Sequence, residues 1–128
     1  MKYLILLHSN PTTWKHPMFL QDAGLSPEEA DARMAAFGEL MEEVSKSGEL
    51  VGGQALSDPG LTRTVQMRNG SLTVTDGPFA DSKEQMAGYF VVDCDSIDRA
   101  VEIASRLPDV HEGVAEVRPI MEDSGEEM

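Results

Sequence analysis

The sequence predicts an α+β fold in which two β-α-β units, joined through strands, form an antiparallel sheet with both helices on one face and an added β-hairpin. Three observations carry this reading. The runs KYLILLH at residues 2 to 8 and GYFVVDC at 88 to 94 are nearly unbroken in apolar character, as central strands buried on both faces are. Two segments of helical period, each opened by a capping residue, sit between strand patterns. Asn69-Gly70, the dipeptide favoured in two-residue hairpin turns, is flanked on both sides by alternating residues.

The first strand covers residues 2 to 8, and residues 9 to 25 then hold two prolines, the only tryptophan and no sustained period, which marks a long loop. Ser26, Pro27 and Glu29 spell a helix start: a cap, a first-turn proline and a capping box. That helix is expected over 27 to 47, with Ala30, Met34, Phe37, Met41 and Val44 as its apolar stripe and Gly48 as its stop. A strand follows from Glu49 to Leu56, in which Gly52-Gly53 marks a bulge or a close backbone approach. SDPG at 57 to 60 is a turn, and a hairpin arm follows with Val65, Met67, Leu72 and Val74 expected on its buried side. DGPFADSKE at 76 to 84 breaks the pattern before the second central strand. Asp95 or Ser96 caps a second helix with Ile97, Ala100, Val101, Ala104 and Leu107 on its apolar face, Pro108 ends it, and GVAEVRPI at 113 to 120 is the last strand. This order is that of a ferredoxin-like domain over residues 1–121, and the acidic residues 122–128 are expected to be disordered. Two helices cover only one sheet face, so the doubly apolar strands call for a second copy packed sheet against sheet in a homodimer.

Composition narrows function by exclusion. Ten basic and 23 acidic residues in 128 give a net charge of −13, which repels nucleic acid. No apolar run approaches the roughly 20 residues of a membrane span, and the opening segment reads as a strand and not a signal, so a cytoplasmic protein is expected. A single cysteine, Cys94, is expected as a small core residue. The three histidines lack metal-site spacing, and Gly52-Gly53 opens no helix, so neither metal nor cofactor is expected.

The stretches MKYLILL, LVGGQAL, VTDGPFADSKEQMAGYFVVDCDSIDRAVEIASRLP and EVRPI together resemble the YCII-related proteins of the DGPF-domain group, over about residues 2 to 121. DGPFA, then KEQ and a GY-aromatic strand, is the specific part of that signature. The resemblance implies a ferredoxin-like dimeric α/β barrel and, for the DGPF group, an association with extracytoplasmic-function sigma factors. The wider family includes proteins whose histidine and aspartate are regarded as a catalytic pair, with the histidine on the first helix, roughly where this chain has Phe37 or Gly38. This helix carries no histidine, and only Asp76 of DGPF matches the closer group's motif.

Two residues are candidates for acid–base chemistry. Asp76 either caps a corner in which Gly77 supplies positive φ, Pro78 fixes the chain and Phe79 plugs the core, or presents a carboxylate to a ligand. His8 ends a central strand, where pockets form, and an imidazole there suits a general base that Asp76 would orient. Trp14 in the long loop, Phe79 and Lys83 are candidate ligand contacts, Lys83 toward an anion. His16 and His111 are expected to be solvated. Two functions follow: a small-molecule site, enzymatic or not, near the DGPF corner, or a regulatory protein of a sigma-factor pathway acting through its surface.

Overall fold

The computed structural model describes residues 1–9, 25–79 and 85–122. It is an α+β structure with β1 (Lys2–Ser9), α1 (Pro27–Lys46), β2 (Leu50–Ala55), β3 (Arg63–Arg68), β4 (Ser71–Asp76), β5 (Gln85–Asp93), α2 (Ile97–Ser105), α3 (Asp109–Glu112) and β6 (Val114–Pro119). Four strands form one antiparallel sheet in the order β2-β5-β1-β6, and β3-β4 is a separate two-stranded ribbon. The two apolar runs therefore occupy the centre of the sheet, as their composition requires. A lone chain closes no barrel.

Local chemistry sets the helix starts. Ser26 Oγ accepts from the Glu29 N–H at 3.2 Å and Ser96 Oγ from the Arg99 N–H at 3.2 Å, each satisfying a first-turn donor that the helix itself leaves open. Alternation then divides the sheet. Tyr3, Ile5 and Leu7 of β1 are buried with Phe37, Leu40 and Val44 of α1 and Ala100, Ile103, Ala104 and Leu107, so both helices share one sheet face. Leu4, Leu6, Tyr89 and Val91 point to the other face and are only half-buried. Cys94 is a core residue, and burial pushes its thiol up. Arg99 of α2 clamps the helix layer: its guanidinium forks onto Glu49 at 2.8 and 2.9 Å and also reaches Glu43 and Glu102.

Several expectations need correction. In α1 the buried stripe is Phe37, Leu40 and Val44, while Met34 is exposed; in α2 Ile103 is buried while Ile97 and Val101 are exposed. Apolar side chains lie on both sides of the predicted stripe in each helix, and periodicity alone does not fix which of them meet the sheet. Pro108 does not simply end a helix; it opens the short α3. Phe79 does not plug the core but stands 77% exposed. The arm side chains Val65, Met67, Leu72 and Val74 are 56 to 68% exposed instead of buried, because the ribbon projects its apolar face away from its own sheet. Gly52-Gly53 joins both features expected of it. A register shift falls between Leu50 and Gly52, and a Cβ on Gly53 would meet Phe90 Cδ1 at 2.6 Å and Tyr89 O at 2.7 Å.

Candidate functional site

The DGPF corner is fastened from three sides. Gly77 adopts φ +92°, a conformation that a side chain resists, and its N–H donates to Thr62 O at 2.8 Å while its carbonyl accepts from Thr64 Oγ1 at 2.7 Å. Asp76 faces Arg63 in the β3-β4 register, and its Oδ1 lies 3.2 Å from Arg63 Nε. The Asp76 side chain is 85% exposed, so the carboxylate sits in solvent at the corner and not in an enclosed pocket.

Directly beside the corner is a cavity of about 510 Å³. Its apolar wall is Leu56, Pro59, Leu61, Pro78, Phe79 and Met86; its polar groups are Ser57, Asp58, Thr62, Thr64 and Gln85. Leu56 extends the β2-β5 ladder by donating its N–H to Ala87 O at 2.8 Å, and the turn 57 to 62 is held by Asp58, whose Oδ1 accepts from the Gly60 N–H at 2.8 Å. The wall thus joins the end of β2, the base of the arm and the start of β5. Among the described lining residues there are hydroxyls, one amide and one carboxylate but no cation. That lining suits an apolar body bearing a few hydroxyl, amide or amine groups.

His8 is one strand away. Its Cα partner across β5 is Met86 of the cavity wall, and its partner across β6 is Val114. The His8 side chain is 23% exposed, and Nε2 lies 2.7 Å from Glu116 Oε1. Despite this approach Nε2 is buried without a hydrogen-bond partner. The backbone is equally crowded here: a Cβ on Gly113 would overlap His8 O, so β6 can begin beside His8 only with glycine at that position. Asp109, 2% exposed, opens α3 nearby, and its carbonyl accepts from the Gly113 N–H at 2.9 Å.

Among the described residues no hydrogen bond or ion pair joins His8 to Asp76; each has its own partner, Glu116 and Arg63. Phe79 lines the cavity mouth, Trp14, His16 and Lys83 lie outside the described residues, and His111 is exposed. Glu116, Asp109, Asp58 and Arg63 were not anticipated. Asp109 left a trace, a carboxylate between the apolar neighbours Leu107-Pro108 and Val110. Glu116 left none, since its meeting with His8 depends on the β1-β6 register. Among the described residues no group of three or more His, Cys, Asp or Glu is placed to hold a metal ion, and no helix is long and apolar enough to cross a membrane.

The chain is 32% identical over 97 residues to an uncharacterised protein of Rhizobium meliloti (strain 1021), spanning 74% of this chain and 78% of that protein. The model of the YCII-related domain matches residues 1–124, and the chain therefore belongs to the YCII-related domain family.

Proposed function

We propose that this YCII-related protein, of the DGPF group, is a cytoplasmic homodimer that binds a small organic molecule in the corner cavity, with His8, one strand away, as its acid–base group. The observation that carries the reading is the cavity itself, about 510 Å³, lying against the DGPF corner and walled by Pro78 and Phe79 of that motif. A volume of this size falls within the range of small-molecule sites. The lining favours a neutral or cationic ligand, mainly apolar, that hydrogen-bonds to Ser57, Thr62 or Thr64. Trp14 and Lys83 are further contacts in this proposal: Lys83 stands two positions before the lining residue Gln85, and Trp14 stands five positions after Ser9, the Cα partner of Gln85. A ligand carboxylate would be met by Lys83.

The geometry divides the polar groups. In this reading His8 has Glu116 as its neighbour, 2.7 Å from Nε2, while Asp76 and Arg63 brace the corner that shapes the cavity. The homodimer reading rests on the strand order β2-β5-β1-β6, that of a ferredoxin-like sheet, and on the half-buried apolar side chains of its uncovered face. Two such faces packed together would form the dimeric barrel.

A thermal-shift screen with neutral, cationic and anionic metabolites tests the site. Ligands stabilising the parent should lose their shift in Leu61→Trp, which narrows the cavity from an exposed position, and ligand carboxylates should lose it in Lys83→Gln. Shifts that survive Leu61→Trp in full would place the site elsewhere.

A further inference from the structure

The hairpin arm is amphipathic the wrong way round for a lone chain. Val65 faces Val74 and Met67 faces Leu72, so four side chains make one continuous apolar stripe, and all four are exposed. On the opposite face Thr64, Gln66 and Thr73 are the better shielded residues. A two-stranded ribbon is at best marginally stable alone, and an apolar edge of this length invites association. The arm also differs in charge from the molecule that carries it. Residues 63 to 76 hold two arginines and one aspartate, whereas the remainder of the chain holds 8 basic against 22 acidic residues. The arm is therefore a weakly basic, apolar strap on a strongly acidic body.

We propose that the arm straps a second copy of this chain, laying Val65, Met67, Leu72 and Val74 against the partner beside the sheet-to-sheet contact, at its rim. This inference rests on the homodimer reading and specifies how the two copies hold each other. A second copy fits on three counts. It carries the half-buried apolar side chains Leu4, Leu6, Tyr89 and Val91 on the sheet face opposite the helices. Its net negative body attracts an arm ending in Arg68 and based on Arg63. A two-fold axis covers both arms and both faces in a single isologous contact.

The test is the oligomeric state of Met67→Glu/Leu72→Glu, measured by sedimentation across a concentration series beside the parent protein. The expected result is a parent dimer whose dissociation constant rises by on the order of 100-fold or more in the double variant, with an unchanged far-ultraviolet circular dichroism spectrum. A parent dimer whose affinity the variant keeps would overturn the strap and leave the homodimer reading standing; a monomeric parent would overturn both. Should the double variant unfold, spin labels at Met67→Cys and Thr73→Cys decide the matter in the full chain, the buried Cys94 thiol being shielded. The label at position 67 should be immobilised at high concentration and freed on dilution, while the label at 73 keeps the same mobility throughout. A label at 67 whose mobility is the same at every concentration would refute the strap.

Discussion

Replacing Arg99 by methionine keeps most of the side chain's apolar bulk and removes the charge that joins α1, β2 and α2. Three carboxylates converge on this guanidinium: Glu49 through a two-pronged contact at 2.8 and 2.9 Å, Glu43 at 3.0 Å and Glu102 at 2.9 Å. The contacts to Glu43 and Glu102 involve well-exposed carboxylates and contribute little each. Glu49 differs, being 17% exposed against an arginine that is 26% exposed. The Arg99 guanidinium, followed by the Ser47 hydroxyl, holds the Glu49 carboxyl at about 2, down from 4.5. That gap converts to a ceiling of about 3 kcal/mol, and solvent access to the pair reduces it to ~2 kcal/mol. Arg99→Met should therefore lower the unfolding free energy by ~2 kcal/mol at pH 7, a fall of roughly 6–8 °C in Tm for a chain of this size. The pH dependence has a definite sign. A carboxyl whose pKa is depressed on folding stabilises the protein fully above 4.5 and loses that contribution as pH falls toward about 2. Urea unfolding at fixed protein concentration, repeated from pH 7 down to pH 2.5, should show the gap between parent and variant intact above pH 5 and closing below it. A gap under ~0.5 kcal/mol at neutral pH, or one that keeps its full size in acid, would refute the clamp.

Two further substitutions probe the backbone. Gly53→Ala should cost ~1–3 kcal/mol in thermal unfolding, because its Cβ meets the immovable Tyr89 carbonyl at 2.7 Å, whereas Gly52→Ala, with open space around it, should cost far less. Gly70→Val should loosen the arm, since Gly70 holds φ +80° next to Asn69 at φ 50° and a β-branched residue resists that region; hydrogen exchange should accelerate in β3 and β4 while the four-stranded sheet keeps its protection.

The fold was legible because its elements advertise themselves locally. Ser26-Pro27 and Ser96 cap where serine side chains can reach open N–H groups, Asn69-Gly70 turns where positive φ is needed, and the YLILL and YFVV runs occupy the sheet centre. Facing was less legible. Leu40 and Met34 both lie on apolar stripes of α1, and only the crossing of the helix over the sheet buries the first and exposes the second. The arm shows the same limit more sharply: alternation correctly groups Val65, Met67, Leu72 and Val74, yet it is blind to where the whole ribbon points. At the site, the positive φ of Gly77 could be read from turn chemistry, but Asp76 pairs with Arg63 and not with local backbone donors, and that contact, like the bonds of Gly77 to Thr62 and Thr64, comes from across the arm. His8 and Glu116 are 108 positions apart in sequence and meet only through strand register.

The cavity and the arm share residues, and if the proposed ligand and second copy both bind, this would tie one to the other. Thr62 and Thr64 line the cavity, and the same two residues fasten Gly77, the corner through which the arm joins the sheet. A molecule seated against these threonines bears on the angle at which the arm leaves the body. If the arm docks on a second copy, the docked angle in turn fixes the cavity wall at Pro78 and Phe79. Linkage then requires reciprocity: a ligand that binds the dimer more tightly than the monomer must tighten the dimer by the same factor. A ligand indifferent to assembly would bind with equal affinity above and below the dimer dissociation constant, which would mean that the corner is rigid enough to separate the two events. The three fastenings of Gly77 and Asp76 favour such rigidity, and the exposed position of Phe79 at the cavity mouth opposes it. Ligand affinity measured across the dimer transition decides between a cavity that is merely carried by the fold and one that assembly controls.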